Sequence, residues 1–160
     1  MISLSEMPGH ARLWVYQSDR KFTNSEVAEI RIETESFLNS WAAHGAALKA
    51  AYNLYFDQVL VLAVDESFHG ASGCSIDDSV KLVRSFEAKY GVSMMDRTNV
   101  ALVKDDQLQL RPMFGLKGAV EKGEIESDTI VLNNAVSNYS EFQTSWKQSA
   151  SESWLKRFFA

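Results

Sequence analysis

Apolar and aromatic side chains fill nearly every position of residues 11–17, with Leu13, Trp14, Val15 and Tyr16 in succession. Such density predicts a strand. Thr23 followed three residues later by Glu26 matches a capping box, and Phe22 and Val27 flank it as a hydrophobic staple. A helix is therefore expected from about Asn24, with Val27, Ile30, Phe37, Leu38 and Trp41 on one face and Gly45 placed to end it. Over residues 48–56 the period changes to two: Leu48, Ala50, Tyr52, Leu54 and Phe56 alternate with Lys49, Asn53 and Asp57 beyond. That is the pattern of a half-buried strand. Residues 59–64, Val-Leu-Val-Leu-Ala-Val, are apolar on both sides, as a central strand covered on both faces would be. The Asp57-Gln58 step between the two runs is short enough for a hairpin.

Ser75 and Asp78 make a second capping signal, and Ile76, Val80, Val83, Phe86 and Tyr90 follow as a stripe that stops at Gly91. A second helix over 76–90 is predicted. Residues 99–103 read as a strand, and Asp105-Asp106 as a turn into a short strand over 108–111. Beyond it the pattern weakens to a short helix over 114–121, a strand over 129–132 closed by Asn133-Asn134, and one or two helical segments over 140–159. These last carry Phe142, Trp146, Trp154, Leu155 and Phe158.

The resulting order, β-α-β-β-α-β, is satisfied most simply by an α+β ferredoxin-like fold: an antiparallel sheet of order 4-1-3-2 with both helices on one face. Residues 1–104 would form that core and residues 105–160 an α/β C-terminal cap, all within one domain spanning 1–160. Two helices cover one face only. The aromatic C-terminal third is expected to cover the other, with a homodimer or another protein partner as the alternative.

Composition narrows the function classes. The chain has 160 residues, 46% of them hydrophobic, and two prolines, the profile of a single folded domain. One cysteine excludes an internal disulfide and a multi-cysteine metal knuckle. A net charge of −5 counts against a nucleic-acid partner, including a single strand stacked on Trp14 and Tyr16 of the sheet face. No apolar stretch approaches the roughly 18 residues of a membrane span, and residues 1–10 lack the basic and apolar regions of a secretory leader. A cytoplasmic protein without a membrane segment is expected.

The same topology sorts the loops, and gathers His10, His44, Asp65, Glu66, His69 and Cys74, with Ser75 at the N-terminus of the second helix, on one edge of the sheet. All three histidines of the chain fall there, and this edge is the candidate ligand-binding site. A metal centre would need His10, His44 and His69 to converge with an acidic ligand, which spacing does not establish, so no metal or cofactor is assigned. His44 suits a helix cap. Cys74 could gain thiolate character from a helix N-terminus, but Asp77 and Asp78 would oppose it, and a small buried residue under the loop is the plainer expectation. Adjacent strand residues point to opposite faces, so Asp65 and Glu66 do not form a facing acid/base couple. Asp96-Arg97 reads as a local salt bridge or turn. No catalytic residue is assigned.

Several stretches resemble a family of small uncharacterised bacterial proteins that commonly carry the label "ABC transporter ATPase": His10-Ala-Arg-Leu-Trp-Val-Tyr-Gln, Trp41-Ala-Ala-His-Gly, Val64-Asp-Glu-Ser-Phe, Ser72-Gly-Cys-Ser-Ile-Asp and Glu152-Ser-Trp-Leu-Lys-Arg-Phe-Phe. The resemblance runs over almost the whole chain, and its label implies ATP hydrolysis. That reaction needs G-x-x-x-x-G-K-[ST], whose amides cradle the phosphates, and the chain has no such segment. Residues 60–66 do resemble a Walker B strand, an apolar run ending in Asp-Glu. Hydrolysis of the ABC type is not expected. The sequence instead suggests a non-catalytic binding or interaction domain, with an enzyme using a thiol or metal at the same edge as the alternative.

Overall fold

A computed structural model describes residues 2–159. The N-terminal part contains β1 (Arg12–Gln17), α1 (Asn24–Ser40), a small hairpin of β2 (Ala42–Ala43) and β3 (Ala46–Ala47), β4 (Lys49–Tyr55), β5 (Val59–Asp65) and α2 (Gly73–Tyr90). There follow β6 (Asn99–Lys104), β7 (Gln107–Pro112), α3 (Leu116–Glu121), β8 (Ile130–Leu132), α4 (Tyr139–Ser145) and β9 (Lys147–Ser149), and the chain ends in 3-10 turns over Ala150–Glu152 and Trp154–Phe158. No helix among the described residues is long and apolar enough to cross a membrane.

Two principal antiparallel sheets organise the molecule. β5, buried at all seven positions, lies between β1 and β4, in the order β1-β5-β4. The second sheet has the order β7-β6-β8-β9. The class is thus α+β, but the ferredoxin-like order 4-1-3-2 is not the one formed: its 1-3-2 part is present and its fourth strand, β6, lies in the other sheet. Two local causes account for this. Asp105 and Asp106 both adopt positive φ, 52° and 59°, the conformation of a two-residue hairpin turn that ties β6 to β7. The free edge of β1 is meanwhile taken by a C-terminal segment: Leu13 N donates to Ser137 O at 3.0 Å and Tyr139 N to Ala11 O at 2.9 Å.

Alternation along the strands builds a core on each face of the first sheet. Tyr16, Leu60, Leu62 and Val64 point to the α1/α2 side and pack with Ile30, Leu38, Val83 and Phe86. Leu13, Val15, Val59, Val61 and Ala63 point the other way and pack with Ala101 and Leu132 of the second sheet and with Tyr139, Phe142 and Trp146. The second sheet buries its outer side in turn, through Val100, Leu102 and Val131 against Leu116, Ile125 and Leu155. The aromatic C-terminal third does cover the sheet face left open by the helices, with no partner chain needed for that contact.

Several boundaries differ from expectation. The Thr23–Glu26 box caps α1: Glu26 N donates to Thr23 Oγ1 at 3.2 Å and Thr23 N to Glu26 Oε1 at 2.9 Å. The helix, however, ends at Ser40, because the buried Trp41 indole turns inward to donate to Ser75 O at 2.8 Å and to pack against Trp14 and Phe37. Gly45 and His44 (φ 80° and 52°) then form the tight turn between β2 and β3 instead of a helix stop. Likewise α2 begins one turn early. Ser72, not Ser75, is its cap, with Ser75 N donating to Ser72 Oγ at 3.1 Å and Ser72 N to Ser75 Oγ at 2.7 Å. Within the expected 140–159 helical region, Lys147–Ser149 instead pairs with β8 as a strand.

Candidate functional site

The candidate edge lies where β5 ends and α2 begins. Antiparallel register sets Lys49, the first residue of β4, opposite Asp65, the last of β5. Asp65 is 5% exposed, and a buried carboxylate must find partners. Its Oδ1 accepts from Ser67 Oγ at 2.6 Å and from Ser67 N at 3.0 Å. Lys49 Nζ stands 3.6 Å from Oδ2, and His10 Nε2 3.6 Å from Oδ1. The Ser67 hydrogen bonds first, then the neighbouring Lys49 ammonium, hold the Asp65 carboxyl below the usual carboxylate range despite its burial.

The order of these bonds decides what the cluster can do. Asp65 as a carboxylate only accepts, so the single Ser67 hydroxyl proton goes to it. His10 Nε2, 2.8 Å from Ser67 Oγ, is then the donor of that contact. A nucleophilic serine needs the reverse, with imidazole accepting the hydroxyl proton and the carboxylate behind the imidazole. The arrangement fastens a loop rather than activating an oxygen.

Glu66 completes the fastening. Its Oε2 accepts from Ala71 N at 2.8 Å, and a Cβ at Gly70 would meet that same oxygen at 3.0 Å. Residues 66–71 thus close on themselves, and Phe68 stands at the tip, 76% exposed, with Lys49 Nζ 5.9 Å from its ring centroid.

Of the residues nominated from the sequence, His10 and Asp65 are brought together, Glu66 shapes the adjoining loop, and Ser75 serves α2 as part of its capping box. His44 sits exposed at the β2–β3 turn and so is no helix cap. His69 is exposed beside Phe68. Among the described residues no three His, Cys, Asp or Glu side chains group so as to hold a metal ion, so the three histidines do not converge. Cys74 is exposed on the first turn of α2, contrary to the expected burial, because the helix starts early enough to put it on the outer side. Asp96 makes a turn, accepting from Thr98 N at 2.8 Å and Thr98 Oγ1 at 2.6 Å, with no salt bridge to Arg97. Sequence reasoning passed over Lys49, Ser67 and Phe68. The alternation of β4 and β5 across a short turn gives the Lys49–Asp65 register, and Asp-x-Ser is a recognisable side-chain-to-backbone turn.

The fold and site define an α+β protein of two principal antiparallel sheets bearing a polar, loop-fastened strand end. The chain matches no family model, no curated protein and no solved structure.

Proposed function

We propose that the protein is a non-catalytic interaction domain that docks a partner protein through the 66–71 loop, with Phe68 as its anchor. The observation that carries this reading is an exposed phenylalanine on a loop tied at both ends by buried or half-buried carboxylates. Interface hot spots are aromatic side chains, and a loop already held in shape loses little conformational freedom on binding. Lys49 beside the ring and His69 next to it supply a polar surround. The free, exposed Cys74 suits a reducing cytoplasmic compartment. An enzymatic reading of the same edge has less support: Ser67 gives its proton to Asp65, and among the described residues Cys74 makes no hydrogen bond to a base. A Walker-type reading has less support as well, since both oxygens of Asp65 are engaged, by Ser67 and Lys49, and Glu66 Oε2 by Ala71 N.

The test compares immobilised wild type with Phe68→Ala and Phe114→Ala in quantitative capture from cell extract. Phe114 is 89% exposed, so its variant controls for non-specific adhesion of an exposed ring. At least one captured protein should lose about tenfold or more of its retention with Phe68→Ala, the loss of a strong hot spot, and keep it with Phe114→Ala. Capture indifferent to Phe68, or no captured protein at all, rejects the reading.

A further inference from the structure

At the other end of β1, away from this edge, a cleft of about 270 Å³ opens between the two sheets. It lies just below the roughly 300–1,000 Å³ of small-molecule sites, so it suits only a compact metabolite. Its walls include the buried Met94 and Leu132, and its mouth is bordered by Met113 and Trp154, 50% and 42% exposed.

The polar side of the cleft has a fixed direction. Trp146 Nε1 donates to Asn134 Oδ1 at 2.9 Å. An indole N–H can only donate, so this contact settles which end of the Asn134 amide is oxygen. Asn134 Nδ2 consequently donates to Gln17 Oε1 at 2.9 Å. The Gln17 amide is thereby turned with Nε2 toward Asn99, which also lines the cleft, and its contact there is a long 3.4 Å approach to Asn99 O. Gln17 is 8% exposed, so this N–H₂ is a nearly buried donor pair with a single weak acceptor. Arg97 lines the same cleft. Among the described residues it has no carboxylate within 4.0 Å, its neighbour Asp96 being turned to Thr98. Unspent donors beside apolar walls call for an acceptor-bearing ligand with an apolar body, and a guanidinium matches a carboxylate best.

We infer that this cleft is a binding site for a small organic carboxylate, its carboxyl held by Gln17 Nε2 and Arg97 and its apolar or aromatic body lodged against Met94, Met113 and Trp154. This site is separate from the Phe68 loop, and either can fail without the other.

The experiment titrates 15N-labelled full-length protein with 3-phenylpropanoate, using 3-phenylpropanol as the uncharged counterpart. The carboxylate should shift the Gln17 side-chain amide and Trp154 indole signals saturably. The alcohol should bind about tenfold more weakly or worse, and Arg97→Gln, at an exposed position, should lower the affinity for the carboxylate by a similar factor. A third titration uses acetyl-glycyl-phenylalanine with a free carboxyl end. Absence of saturable shifts at those signals, equal affinity for acid and alcohol, an indifferent Arg97→Gln variant, or tighter binding of the peptide than of the small acid would each overturn the assignment.

Discussion

The two faces of the first sheet are both buried, yet they are covered in different ways. On the α1/α2 side the cover is two long helices with side-chain caps at their starts, close in sequence to the strands they protect. On the other side it is a second sheet whose β8 and β9 have three residues each, and a C-terminal segment that returns to the edge of β1. Both covers nonetheless hold fully buried side chains: Phe86 in the first and Leu155 beyond the second are each 0% exposed. The C-terminal third is therefore as much a structural layer as the helices. Phe86→Ala should cost about 4 kcal/mol and Leu155→Ala about 3 kcal/mol, and each should lower a single shared unfolding transition in urea. Two separate transitions, or a Leu155→Ala variant of wild-type stability, would break the equivalence and reduce residues 105–160 to an appendage.

The same contrast explains what could be read in advance. The strands of the first sheet carry dense or alternating apolar patterns six or seven residues long, and α1 and α2 announce themselves through apolar stripes, the Thr23–Glu26 box and Gly91. These are local signals, and they located the elements. The errors arose where a distant residue overruled a local one. Trp41 leaves α1 because its indole finds Ser75 O, which makes Gly45 a hairpin residue. The partners of β6 are settled by its Asp105-Asp106 turn and by β8, so a strand whose extent is legible in the sequence lies in a different sheet from the one its order predicts. Lys147–Ser149 has no strand-like pattern and pairs only because β8 is there to receive it. At the candidate edge the pairing of β1 with β5 sets His10 beside Asp65, and the Asp65-x-Ser67 turn is legible locally, whereas the reach of Glu66 to Ala71 N is not. The cleft was out of reach of sequence reading, since Gln17 and Asn134 are 117 residues apart.

A finer probe of the strand-clad side is Trp146→Phe. The substitution keeps an aromatic ring beside Phe142, now 4.7 Å away between centroids, and beside Tyr55 at 5.1 Å. It removes the one donor that orients Asn134. A loss of about 1–2 kcal/mol is expected from an acceptor left half-buried without its partner, together with a changed Gln17 side-chain amide signal. Unchanged stability would mean that stacking alone holds this side together.

On the helix-clad side the corresponding probe is the cap of α2. Ser72→Ala removes the acceptor of Ser75 N and should cost about 1 kcal/mol, read as a lower urea midpoint at unchanged slope. The loss should be confined to the start of the helix, with faster amide exchange at residues 73–76 and none at residues 130–132. Equal exchange gains in β8 would show that the two layers share one local opening.

The smallest expected effect is electrostatic and again lies on the helix-clad side. Glu26 receives a two-pronged contact from Arg20, Nη1 to Oε1 at 2.8 Å and Nη2 to Oε2 at 2.9 Å. That contact first, and the Thr23 amide second, lower its pKa from the ordinary 4.5 to about 2. A carboxyl whose folded pKa is depressed adds stability that is fully present above its unfolded value and is lost as pH falls toward the folded one. The window here runs from about 4.5 down to about 2. Arg20 is 42% exposed along its side chain, so solvent screening limits the pair to roughly 0.5 kcal/mol. Glu26→Gln keeps an oxygen for the Thr23 amide but removes the charge. Wild type should exceed it by that amount at pH 6 in low salt, and the two denaturation midpoints should converge as pH approaches 2. Parallel curves across the window would assign the contribution of Glu26 to its capping geometry, and the helix-clad side would then owe its stability to packing and caps alone, as the strand-clad side does to packing and register.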